Sequence, residues 1–82
     1  MNFLRFDKHN PKKLTIIAAM RRWMESGHYS AHEAVKIEVD RDDPLKYAWV
    51  IDNETREPIQ LFSSAARAKA AVDRAARKGG WF

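Results

Sequence analysis

The stretch that decides the fold is residues 45–62, LKYAWVIDNETREPIQLF. Its first part alternates two sets of side chains, namely Leu45, Tyr47, Trp49 and Ile51 against Lys46, Ala48, Val50 and Asp52. A period of two is typical of a half-buried strand. The set with the larger, aromatic side chains is predicted to face the core, which leaves Ala48 and Val50 on the opposite face.

The second part of this stretch predicts a β-hairpin. Residues 53–57 are polar and turn-prone, and they make a loop of about five residues, longer than the tightest hairpin classes. Pro58 has no N–H to donate to a neighbouring strand, so it suits the first position of the next strand, residues 58–62.

A third strand precedes the hairpin. Val35, Ile37 and Val39 alternate with charged residues, and residues 41–44, RDDP, supply the turn that leads into the hairpin. The three strands are therefore predicted to form a meander over residues 34–62.

A helix is predicted on each side of the meander. Residues 10–27 start with an Asn10 cap and Pro11 and end at Gly27, with an apolar stripe between. Residues 63–78 start at a Ser63 or Ser64 cap and stop before a double glycine. The inner face of this last helix is nearly all alanine, so the helix must lie close to the sheet.

The predicted architecture is a single small α+β domain over residues 1–82. Its order is (β)-α-β-β-β-α, with a three-stranded antiparallel meander and two helices packed on one face. Residues 1–9 are a candidate edge strand, and residues 79–82 form a tail.

Composition bounds the class of protein. The 82 residues suffice for one domain, and 45% of them are hydrophobic, enough for a core without disulfides. The chain contains no cysteine, which fits a reducing compartment. No apolar run approaches the ~20 residues of a membrane span, and the N-terminus lacks the pattern of a signal peptide. A soluble, cytoplasmic protein with no membrane partner is the expectation.

The net charge of +4 is unevenly distributed. Residues 63–80 carry five cations and one acid, whereas residues 33–57 carry eight acids and four cations. Such polarity bears on partners rather than on fold.

A basic helical face is the strongest functional signal. Its predicted members are Arg67, Arg74, Arg77 and Lys78 on the last helix, with Arg21 and Arg22 on the first. Cations on a helix face attract phosphates through counterion release. The predicted function is a non-enzymatic binding protein that docks on nucleic acid or on an acidic protein surface of a nucleoprotein complex. The alternative interpretation of this face is a solvated surface that keeps a small domain soluble.

The element order α-β-β-β-α, with AARAKAA opening the last helix, resembles that of double-stranded RNA-binding domains. That family has a Gly-Pro-x-His motif in its first inter-strand loop, where this chain has the acidic residues 40–44, DRDDP. The likeness is therefore one of element order, and no functional residue carries over. The acidic loop would repel a duplex.

An apolar patch suggests a different function. Val50 and Phe62 are predicted to lie exposed on the sheet face opposite the core, and Trp81 and Phe82 follow two glycines at the end of the chain. These residues could make the protein a protein-protein effector or inhibitor, such as a phage- or plasmid-encoded anti-CRISPR-like protein. Alternatively the N-terminal segment covers the patch, and the terminal aromatic pair folds back onto the core, which is the favoured alternative.

The sequence predicts no catalytic, metal or cofactor site. His28 and His32 lie four residues apart beside Glu33, but Gly27 interrupts the helix that would bring the two rings together. Two surface histidines are the preferred interpretation, and a small hydrolase using them is the least favoured function. Each serine has a capping or loop role, and three glycines cannot build a phosphate-binding loop.

Overall fold

A computed structural model of the chain describes residues 15–81. The elements are α1 (Ile16–Glu25), a 3₁₀ turn (Ala31–Ala34), β1 (Val35–Val39), β2 (Ala48–Asp52), β3 (Pro58–Phe62) and α2 (Ala65–Lys78). The strands pair antiparallel in the order β1-β2-β3, so the predicted α+β fold and its meander are confirmed. The candidate strand over residues 1–9, the proposed cap at Asn10 and the terminal Phe82 lie outside the described residues.

The helix that precedes Gly27 begins at Ile16 rather than after Asn10 and Pro11. Thr15 has an extended backbone, with φ −131° and ψ 162°, and its hydroxyl oxygen accepts the N–H of Ala18 at 3.1 Å. Thr15 is therefore the N-cap of α1, and the prediction of one continuous helix over residues 10–27 is wrong. A threonine hydroxyl can accept a backbone N–H two or three residues on, so a helix can begin at this point without a glycine or proline nearby.

Gly27 ends α1, as predicted. Its φ of +95° lies in the left-handed region, and its N–H donates to the carbonyl of Met24 at 3.0 Å. The next residue, His28, stacks on Trp23 with ring centroids 3.6 Å apart and planes 12° from parallel. This contact between the residue after the glycine and the last turn of the helix is the usual companion of such a cap.

The sheet faces the core with the opposite set of side chains from the one predicted. Ala48 and Val50 are fully buried, whereas Tyr47 and Trp49 are 43% and 41% exposed. The prediction that Val50 lies on an exposed patch is therefore wrong. Because β2 begins at Ala48, the side chains of residues 45–47 precede the strand rather than continue its alternation.

Close helix packing explains the inversion. Ala68, Val72 and Ala76 are the buried residues of α2, and this small-residue face leaves room opposite it for Ala48 and Val50 but not for an indole. Phe62 pairs with Ala48 across the sheet and so shares its face; it is half-buried and packs against the core. The prediction of an exposed Phe62 is wrong for the same reason.

The core is one cluster between the sheet and the two helices. Its largest fully buried apolar side chains are those of Met20 on α1 and Val50 on β2. The other buried hydrophobic residues are Ile16, Ala19, Ala31, Ala34, Val35, Ala48, Ala68, Val72 and Ala76. Both helices therefore cover the same face of the sheet.

The last helix is capped at both ends. Ser64 is the N-cap, and its hydroxyl accepts the N–H of Arg67 at 3.2 Å. At the other end Gly80 has a φ of +80°, and the N–H of Trp81 reaches the carbonyl of Ala76 at 2.9 Å, which is a Schellman motif. Trp81 packs back against the core and over Gly79, where a Cβ would overlap the indole ring. Of the two alternatives predicted for Trp81, the structure adopts the one in which its side chain folds back onto the core.

Candidate functional site

Three cations form a single stripe along α2, which we call the basic stripe: Arg67, Arg74 and Lys78. All three are exposed. At 100° per residue their positions fall within about 40° of one another, and their spacing spans about 16 Å of the helix axis. Arg77 is also exposed and lies beside the basic stripe on the solvent-facing side of α2. The predicted grouping of these four residues on one helix is therefore present.

The acidic residue of α2, Asp73, lies on the other side of the helix from the basic stripe. Asp73 Oδ1 is 3.0 Å from His32 Nε2, and Asp73 Oδ2 is 3.4 Å from Lys69 Nζ. The hydrogen bond with His32, reinforced by Lys69, lowers the pKa of Asp73. Asp73 and Lys69 therefore offset each other. Within residues 15–81, no carboxylate lies within ion-pair distance of Arg67, Arg74 or Lys78.

Arg22 does not extend the basic stripe. Its guanidinium forms an ion pair with Asp52 through Nη2, and its Nε donates to Glu54 Oε1 at 3.1 Å. Two carboxylates therefore balance the charge of Arg22, and both raise the pKa of the guanidinium. Arg21 is exposed on α1 and remains a candidate binding residue.

Asp52 organises the hairpin loop, a role that the sequence analysis missed. Its side chain is fully buried, and Oδ1 accepts the N–H groups of Glu54 at 2.8 Å and Thr55 at 3.1 Å. Burial alone would raise the pKa of Asp52, but Arg22 and these two N–H groups together hold it below its ordinary value. The signal in the sequence was an aspartate directly before the loop, where it can accept N–H groups two and three residues on.

Acid should destabilise the fold through Asp52. A carboxyl group whose pKa is lower in the folded protein than its ordinary 3.8 contributes stability above that value, and the contribution is lost as pH falls through the folded pKa. We expect the free energy of unfolding in urea to be constant from about pH 7 to pH 5 and to fall below about pH 4. Asp73 adds to the fall in the same direction.

Asp52→Asn isolates the contribution of that carboxyl group. The amide keeps an acceptor oxygen for the loop but cannot titrate, so the variant should be less stable at pH 7 and show a shallower fall in acid. Equal acid dependence of the two proteins would contradict the role given to Asp52.

The outer face of the sheet carries the exposed apolar surface. Trp49 pairs with Leu61 on one neighbouring strand and with Glu38 on the other. Leu61 is 45% exposed, similar to Tyr47 and Trp49. A groove of about 240 Å³ opens here, and we call it the outer groove; it is lined by Glu38, Val39, Asp40, Tyr47, Trp49 and Leu61. This apolar surface is not the one predicted at Val50 and Phe62, because those two residues lie on the core face of the sheet.

The two histidines belong to separate contacts. His28 stacks on Trp23, and His32 lies against Asp73 of α2. In the part of the chain that the structure describes, no three His, Cys, Asp or Glu side chains are grouped so that they could hold a metal ion.

No protein-family model, curated protein or solved structure matches this chain. Among the described helices, none is long and apolar enough to cross a membrane.

Proposed function

We propose that this protein is a non-enzymatic binding protein whose basic stripe docks on an acidic macromolecular surface in the cytoplasm. The target is nucleic acid, or an acidic patch of a nucleoprotein complex. The observation that carries the proposal is the exposure of Arg67, Arg74 and Lys78 on one line of α2, with Asp73 held on the opposite flank.

The physical basis is counterion release. Each phosphate that a lysine or arginine neutralises frees a condensed cation, so binding weakens as salt rises. Three such contacts predict a slope of roughly −2 to −3 in a plot of log binding constant against log salt concentration. Contacts from Arg77 and Arg21 would steepen that slope. Arg22 should not contribute, because its guanidinium already forms ion pairs with Asp52 and Glu54.

The test is binding of labelled single- and double-stranded DNA and RNA by the full chain at two salt concentrations. Reversing the stripe with Arg67→Glu, Arg74→Glu and Lys78→Glu should weaken binding at low salt at least about tenfold and remove most of the salt dependence. These side chains are exposed and distant from the core, so the fold should persist, which circular dichroism can verify.

A matched variant distinguishes an effect of where the charges lie from an effect of the net charge of the protein. Lys36→Glu, Arg41→Glu and Lys46→Glu change the net charge by the same amount at exposed sites outside both helices. That variant should keep most of the affinity. An equal loss in both variants would assign binding to overall charge, and no binding by the unaltered chain at low salt would overturn nucleic acid as the target.

A second candidate function is a protein-protein effector or inhibitor that acts through the outer face of the sheet. It is favoured by the exposure of Tyr47, Trp49 and Leu61 on one surface. Aromatic side chains dominate the binding energy of many protein interfaces, so this surface is a plausible anchor for a partner protein.

A further inference from the structure

We propose that the outer groove receives an arginine side chain of a partner protein. The inference rests on the second candidate function, docking of a protein on the outer face of the sheet, and it assigns the chemistry of the partner at that place.

The size of the groove matches one side chain. Its volume of about 240 Å³ is below the roughly 300–1,000 Å³ of sites that enclose small-molecule ligands. The groove is partly open to solvent, so a partner's backbone can lie outside it while one side chain enters. A single anchoring side chain is therefore a better fit than a free metabolite.

The lining combines an aromatic wall with carboxylates. Glu38 lies directly opposite Trp49 in the β1–β2 pairing, so the carboxylate and the indole are neighbours on one face. Asp40 follows β1 and also lines the groove, and its Oδ1 accepts the N–H of Asp42 at 2.8 Å, which restrains the carboxylate. An acidic side chain would be repelled here, and an aliphatic one would cover the carboxylates without pairing them.

An arginine satisfies both parts of the lining. Its planar guanidinium can stack on the indole of Trp49 while its N–H groups donate to Glu38 or Asp40. A cation–aromatic contact already occurs at a ring that lines the groove, because Lys46 Nζ lies 5.3 Å from the centroid of the Tyr47 ring. A lysine offers a point charge without the stacking plane, so arginine is the better occupant.

The cation that already pairs with a carboxylate of the groove can be displaced. Lys36 Nζ is 3.5 Å from Glu38 Oε2, and the two side chains are 44% and 58% exposed. Exposed pairs of this kind contribute little to stability. A partner's arginine that also buries the face of Trp49 would therefore exchange with Lys36 at small cost.

The experiment uses the full ¹⁵N-labelled chain and two peptides observed by NMR. One peptide is acetyl-Gly-Leu-Arg-Leu-Gly-amide, and the other replaces arginine with citrulline, which has nearly the same shape without the charge. The arginine peptide should shift the indole N–H of Trp49 and the amides of residues 38–40. It should bind about three- to tenfold more tightly than the citrulline peptide.

Two double variants test which carboxylates cause the preference for the arginine peptide. Glu38→Gln with Asp40→Asn should abolish the advantage of the arginine peptide, whereas Asp42→Asn with Asp43→Asn, in the same loop but outside the lining, should keep it. Equal binding of both peptides would overturn the arginine assignment and leave protein docking on this face intact. No shift of the Trp49 signal with either peptide would overturn both. Shifts of these signals that depend on protein concentration alone would overturn the assignment in favour of a second copy of the chain.

Discussion

Arg22→Ala should destabilise the protein far more than Arg21→Ala, although the two arginines are neighbours on the same helix. Removing the Arg22 guanidinium leaves the fully buried carboxylate of Asp52 with two backbone N–H donors and no counter-charge. Breaking a buried pair by deleting one partner costs about 3–5 kcal/mol. Because Arg22 itself is 43% exposed and its attraction is partly screened, we expect about 2–3 kcal/mol.

Urea unfolding at pH 7 measures this loss, and Arg21→Ala is its control. Arg21 is exposed, so its replacement should change the free energy of unfolding by less than about 0.5 kcal/mol. The double variant Arg22→Ala with Asp52→Asn adds a sharper test. A neutral amide at position 52 needs no counter-charge, so the double variant should lose less stability than the two single losses added together. Strict additivity would show that the ion pair does not couple α1 to the hairpin.

The pair also explains how α1 is held over the end of the sheet. Asp52 is the last residue of β2, and the loop that it caps is tied to the 3₁₀ turn, since the N–H of Asn53 donates to the carbonyl of Ala34 at 2.9 Å. Loss of Arg22 should therefore loosen both the loop and the contact with α1. Hydrogen exchange at the amides of Glu54 and Thr55 should become faster than in the Arg21→Ala control.

Ala68→Leu is the second large effect that we expect, because it tests the close approach of α2 to the sheet. Ala68 is fully buried in the core, where an isobutyl group has no space without displacing neighbouring core side chains or the helix itself. Over-packing of this kind costs about 1–3 kcal/mol. The measurement is again urea unfolding, with the midpoint and slope compared between variants.

Ala70→Leu is the matched control on the same helix. Ala70 is exposed, and alanine and leucine have similar helix propensities, so the substitution should leave stability within about 0.5 kcal/mol of the original. If leucine were tolerated equally at both positions, α2 could not be packed on its alanine face, and the inner face assigned to Ala48 and Val50 would have to be reconsidered.

The sequence determined the elements and their order. Alternation in residues 34–40 and 45–52, the position of Pro58 and the loop of residues 53–57 are local signals. Each predicted strand formed within its stretch, although β2 begins only at Ala48. Ser64, Gly27 and the glycines after Lys78 set helix ends because they satisfy or release backbone groups nearby in the chain. The basic stripe on α2 was also readable, because helical spacing alone brings Arg67, Arg74 and Lys78 together.

Only the tertiary structure decided which face of the sheet lies inside. Both alternating sets of β2 are apolar over residues 47–51, so local hydrophobicity could not choose between them. The choice depends on the alanine face of α2, which accepts Ala48 and Val50 and leaves Tyr47 and Trp49 on the outer groove. The partnership of Arg22 with Asp52 was likewise hidden, because residues thirty positions apart meet only when α1 packs over the end of the sheet.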